Sequence, residues 1–92
     1  MSFHVELVAV EREVWSGEAS FVECRTTVGE IGILTGHTPL LGELAEGFDV
    51  RIVQEGGSEL VVNVAGGFLS VTEDGVTILA ESATLPGENA PA

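Results

Sequence analysis

Apolar residues in this chain recur at every second position in short runs, and Gly-Gly or Asp-Gly steps separate several of those runs. A period of two places alternate side chains on opposite faces of an extended strand, whereas a helix needs a stripe at three- and four-residue spacing. Phe3, Val5, Leu7 and Ala9 alternate with His4 and Glu6, and Phe48, Val50 and Ile52 alternate with Asp49 and Arg51. Leu60, Val62 and Val64 form a third face and Val76, Ile78 and Ala80 a fourth; here Val61, Ala65 and Leu79 make the opposite side apolar as well. Strands apolar on both sides imply either a sandwich interior or a docking surface. No stretch carries a convincing helical stripe, so the pattern predicts an all-β sandwich or barrel.

The punctuation agrees. Gly56-Gly57 sits between two strand-like runs and supplies the positive φ angles of a tight hairpin, and Asp74-Gly75 does the same between Val71 and Val76. Gly17 is expected to turn the chain between a short Val14-Trp15 piece and the run 19–26. Gly66-Gly67 interrupts a strand-like stretch and reads as a sharp bend or bulge where backbones approach closely. With 92 residues there is room for one core. Residues 1–84 are expected to form it, and residues 85–92, with two Pro and a Gly, to be a flexible C-terminal tail.

Charge narrows the partners. Fifteen acidic residues stand against three Arg and no Lys, for a formal net charge of −12. A basic face that could neutralise phosphates is therefore excluded, and with it nucleic-acid binding and attraction to anionic lipid. The acidity either serves solubility alone or steers the chain to a basic protein partner. Cys24 is the single cysteine, which rules out an intrachain disulfide and suits a reducing cytosol. The opening residues lack the basic and apolar regions of a signal peptide, and no apolar run is long enough to span a membrane.

Motifs for chemistry are missing. His4, His37 and Cys24 lack the spacing of a zinc half-site, and Asp49 and Asp74 form no calcium loop, so no metal is expected. None of the serines lies in a Gly-x-Ser-x-Gly elbow, and Cys24, among Phe21, Val22 and Glu23, reads as a small buried strand residue rather than a nucleophile. No phosphate-binding glycine loop occurs, and no cofactor is implied. Carbohydrate platforms rely on exposed aromatics. The four Phe sit mostly at positions that read as core, and Trp15 reads as a buried anchor near the Gly17 turn.

One segment is unusual. Val28-Gly29-Glu30-Ile31-Gly32-Ile33-Leu34-Thr35-Gly36-His37-Thr38-Pro39-Leu40-Leu41 interleaves three Gly and a Pro with branched apolar residues. Such a composition builds a tightly turned corner through Gly29, Gly36 and Pro39. The corner is either purely structural or presents Glu30 and His37 to a partner.

The run Gly29–Leu41 resembles the Gly-Glu-(apolar)-Gly-(apolar)-x-Pro-Gly-His-x-Pro-Leu-Leu signature of the epsilon subunit of F-type ATP synthases. Val14-Trp15-Ser16-Gly17, Gly47–Ile52, Val64–Val71 with its Gly66-Gly67 pair, and Val76–Glu81 resemble further blocks of that family in the same order, over about residues 3–84. The resemblance implies a flattened ten-stranded β-sandwich of two sheets and a non-catalytic rotor role in the central stalk, coupling proton flow to ATP synthesis. It implies docking on the gamma subunit and on the loops of the c-ring, at the cytoplasmic face of a bacterial plasma membrane, peripherally and without insertion. By position in the motif, Glu30, Ile31 and Gly32 would face the c-ring, and His37 and Thr38 would lie near the gamma and c-ring contacts. Thr35 departs from the Pro usual before Gly-His. The family usually continues into a two-helix hairpin whose Asp-x-x-Arg-Ala start is absent here, so neither hairpin-based inhibition nor nucleotide binding is expected. Set beside this, the pattern alone would also suit an unrelated β-sandwich module that recognises protein or carbohydrate.

Overall fold

The computed structural model describes residues 2–36 and 38–85, and all of its regular structure is strand. The nine strands are β1 (Phe3–Ala9), β2 (Arg12–Thr26), β3 (Gly29–Leu34), β4 (Leu40–Glu43), β5 (Glu46–Gln54), β6 (Glu59–Ala65), β7 (Gly67–Thr72), β8 (Gly75–Ala80) and β9 (Ala83–Thr84). The expected tail from residue 86 onward lies outside the described residues, while Leu85 packs against the core.

Hydrogen bonding runs along a continuous path β4-β7-β8-β1-β2-β5-β6-β9, with β3 added to β2. This ribbon is folded over on itself. The inward residues of β1, β7 and β8 (Val5, Leu7, Leu69, Val71, Val76, Ile78) form one buried cluster with those of β2, β3, β5 and β6 (Val22, Cys24, Ile33, Val50, Ile52, Val62, Val64). Each fully buried branched side chain contributes about 1.5–3 kcal/mol of transfer free energy. The result is the two-layered, flattened sandwich that the resemblance implies, with extents of 38 × 29 × 20 Å.

β2 is the hinge of this architecture. Residues 12–19 pair with β1, and residues from 19 onward pair with β5 and β3. Register shifts opposite Leu7/Val8 and between Ala19 and Phe21 mark bulges that bend the strand from one layer into the other. Counting its two halves separately gives ten strands instead of nine. Gly17 therefore does not turn the chain as expected: it lies inside β2, paired with Val5. Its role is steric. A Cβ at position 17 would stand 2.8 Å from the Trp15 ring, which folds back along the strand over the bare backbone.

The other turns fall where the pattern places them. Gln54 N–H donates to Ser58 O (2.7 Å) across Gly56-Gly57, and Asp74 N–H donates to Thr72 Oγ1 (3.2 Å) at the β7–β8 turn. Gly66-Gly67 is the corner at which the chain leaves β6 in one layer for β7 in the other. At Gly67, with φ +118°, a Cβ would lie 1.9 Å from the Leu79 carbonyl oxygen, so no side chain fits.

Candidate docking surface

The stretch expected as one tight corner is a strand followed by a turn. β3 pairs regularly with β2 from the hairpin tip at Val28 onward, and a second turn follows Leu34. Thr26, which is buried, closes the β2–β3 hairpin: its hydroxyl donates to Gly29 O (2.9 Å) and accepts from Val28 N–H (3.3 Å). Val28 at the tip is 96% exposed. Glu30 projects outward and pairs with its cross-strand neighbour Arg25, Nη1 to Oε1 at 3.5 Å. Ile31 turns inward and packs against the core. Gly32 is exposed on the same outer side as Glu30, with the Phe21 ring against its backbone. Thr38 and Pro39 are exposed beyond Gly36, and His37 lies outside the described residues. Thr35, Gly36, Thr38 and Pro39 line an open groove of about 740 Å³ shared with Phe3 and Asp74; Glu30, Ile31 and Gly32 are not part of its lining. The structure thus separates the described candidate residues into a hairpin edge and a groove wall.

Around the hairpin the outer face of β2 and β5 is polar and braced by guanidinium groups. Arg25 lies over the Phe48 ring, 4.8 Å from its centroid. Arg51 lies over Phe21 at 5.6 Å and bridges Glu23 (3.4 Å) and Glu59. The Glu59 hydrogen bond is the main cause that raises the Arg51 pKa.

The outer face of the opposite layer differs in chemistry. Phe68 on β7 is cross-strand from Leu79 on β8, and Leu79 from Val8 on β1. Phe68 and Leu79 are 52% and 48% exposed, and Leu41 and Val10 extend the apolar surface on either side. Two of the four Phe, Phe48 and Phe68, are therefore exposed rather than core. Phe68 is one step from inward Leu69 and so faces outward, whereas Phe48 shares the register of Val50 but lies in the exposed first half of β5, beside its register shift. Sequence reasoning had missed this patch, and its one signal was the apolar residue on both sides of β8. Trp15, half-buried, packs against the core. Acidic residues edge the patch: Glu43 is cross-strand from Phe68, and Glu6 is the outward neighbour of Val8 along β1. Further along β1, His4 faces Glu18 (Nδ1 at 3.1 Å) and Glu6 (Nε2 at 3.4 Å). Its pKa is raised above 6.5, chiefly by the Glu18 hydrogen bond.

Among the described residues, no group of three or more His, Cys, Asp or Glu is placed to hold a metal ion, and no helix is long and apolar enough to cross a membrane. Burial pushes the Cys24 thiol up to about 11, far from a nucleophile's range. What the surface offers is contact area, in two chemically different patches.

The sequence pattern described as ATP synthase, Delta/Epsilon chain, beta-sandwich domain matches residues 2–86. The ATP synthase epsilon chain of Mycolicibacterium vanbaalenii is 58% identical over 85 residues, which is 92% of this chain and 70% of that one. The epsilon chain of Mycobacterium tuberculosis is 56% identical over the same shares. A chain in the cryo-EM structure of the Euglena gracilis mitochondrial ATP synthase (OSCP/F1/c-ring) superimposes with a TM-score of 0.87 at 24% identity, over 97% of this chain and 56% of its own length. A chain of the Tetrahymena thermophila central stalk/c-ring structure gives 0.72 at 14% identity, over 91% of this chain and 66% of that one. These superpositions bear on the fold; the sequence matches bear on descent. By both the domain pattern and its mycobacterial relatives, this chain belongs to the ATP synthase epsilon-chain family, as its β-sandwich domain.

Proposed function

We propose that the chain is a central-stalk rotor subunit of a proton-translocating ATP synthase, docking on the gamma subunit and on the c-ring to couple proton flow to ATP synthesis. The chain is a non-catalytic part of that complex. In this reading it sits at the cytoplasmic face of the membrane, held there by its partners. The observation that carries the reading is the apolar patch of Phe68, Leu79, Val10 and Leu41 on a chain of net charge −12. Exposed apolar area of this kind, rimmed by Glu6 and Glu43, suits a permanent protein interface with an apolar centre. We assign that face to gamma. The hairpin edge bearing Glu30, Ile31 and Gly32 is assigned to the c-ring loops, and Thr38, on the groove wall, to a position near both contacts. The motif residue His37 is assigned to the same contacts by its place in the sequence.

The test is calorimetric titration of the chain into the gamma subunit of the same organism. One-to-one binding is expected, weakened more than about tenfold by Phe68→Glu or Leu79→Glu, since a charge would be buried in an apolar interface. Both variants should melt as the parent does, because the side chains lie outside the core. Binding that is absent, or untouched by either variant, would overturn the assignment.

A further inference from the structure

The Glu30 side chain is 70% exposed, and a long, solvated carboxylate ordinarily samples several rotamers that must be frozen on docking. Here its surroundings restrict it. The backbone of the hairpin is fixed by the Thr26 hydroxyl, which bonds Gly29 O and Val28 N–H. The strand opposite is fixed too, since Ala45 N–H donates to Arg25 O at 2.9 Å. Arg25 is the cross-strand partner of Glu30, and its Nη1 reaches Oε1 at 3.5 Å. The guanidinium does not hang free, because it lies over the Phe48 ring at 4.8 Å from the centroid. A planar cation stacked on a ring keeps its orientation in a way an ammonium does not.

We propose that Arg25 is a positioning residue for docking: held on Phe48, it orients the Glu30 carboxylate outward for the partner. The proposal rests on the reading that Glu30 meets the c-ring. It explains a feature that reading leaves open, namely why one of only three Arg in so acidic a chain stands beside the motif glutamate. It also gives exposed Phe48 a role distinct from that of Phe68, as the seat of a cation rather than a contact.

The experiment is a double-mutant cycle on binding of the full chain to a gamma–c-ring assembly of the same organism, freed of its own epsilon chain. Glu30→Gln is expected to weaken binding, and Arg25→Gln to weaken it about threefold, in the range of one exposed pair. In the Glu30→Gln background Arg25→Gln should have no further effect, and Arg25→Lys, which keeps charge but loses the stack, should recover only part of the parent's affinity. Phe48→Leu should act in the direction of Arg25→Gln, again only when Glu30 is present. A loss from Arg25→Gln that is equal in both backgrounds, or no loss at all while Glu30→Gln still weakens binding, overturns the positioning role alone. An inert Glu30→Gln overturns the c-ring assignment, and the positioning role with it. Thermal melting of each variant identifies any that fail to fold; for those, the Lys and Leu substitutions carry the comparison.

Discussion

A methyl group at position 67 would meet the Leu79 carbonyl oxygen at 1.9 Å, whereas one at position 56 would meet nothing within 4 Å, although both residues have positive φ. The two glycines separate conformational strain from steric exclusion. Gly56→Ala is expected to cost about 1–2 kcal/mol from strain alone, and Gly67→Ala more than about 3 kcal/mol, because the layers must part locally to admit it. Urea denaturation of the two variants checks the difference. At the same scale Cys24 offers a pH test. Its folded pKa lies above the ordinary 9.0 because burial disfavours the thiolate. A group raised on folding stabilises fully below its unfolded pKa, and that stabilisation is lost as pH climbs from about 9 toward 11. The parent should therefore lose stability across that window relative to Cys24→Ala, and a maleimide should label Cys24 at pH 8 only when denaturant is present.

Among the elements, β1, β5, β6 and β8 and the turns at Gly56-Gly57 and Asp74-Gly75 were legible, because alternation and turn chemistry are local properties of the chain. β2 was not. Gly17 looks like a break because glycine interrupts strands on average, and only the fold-back of Trp15 shows why it sits inside one. Gly17→Val should displace that ring, shift the Trp15 emission maximum to longer wavelength and cost about 1–2 kcal/mol, measured by fluorescence and thermal melting. The candidate site divides in the same way. The motif singled out Glu30, Ile31 and Gly32 but as part of a tight corner, where the chain instead runs them along strand β3 with Ile31 turned inward. The apolar face of Phe68 and Leu79 arises from β7 and β8 lying beside β1, with the hydrogen-bonded path returning from β8 to the chain's opening strand. Period-two alternation states that a strand has two faces; it does not state which neighbours extend each one.

For the molecule as a whole, a net charge of −12 on 92 residues is a repulsive load carried by a small core. Screening should relieve it, so the melting temperature is expected to rise by several degrees between about 10 mM and about 150 mM salt, as differential scanning calorimetry would show. Topology adds a separate consequence. Among the described residues every other strand pair is antiparallel, but β1 and β8 run parallel, with Val5 opposite Val76. Such a pair cannot zip from a turn; it forms only when the two ends of the domain meet. Folding should accordingly be slow and late. On the ribosome, β1 emerges with one edge unmatched and stays so until Ala80 has been added, which makes the nascent chain, rather than the finished protein, the form most exposed to mispairing and most in need of a chaperone.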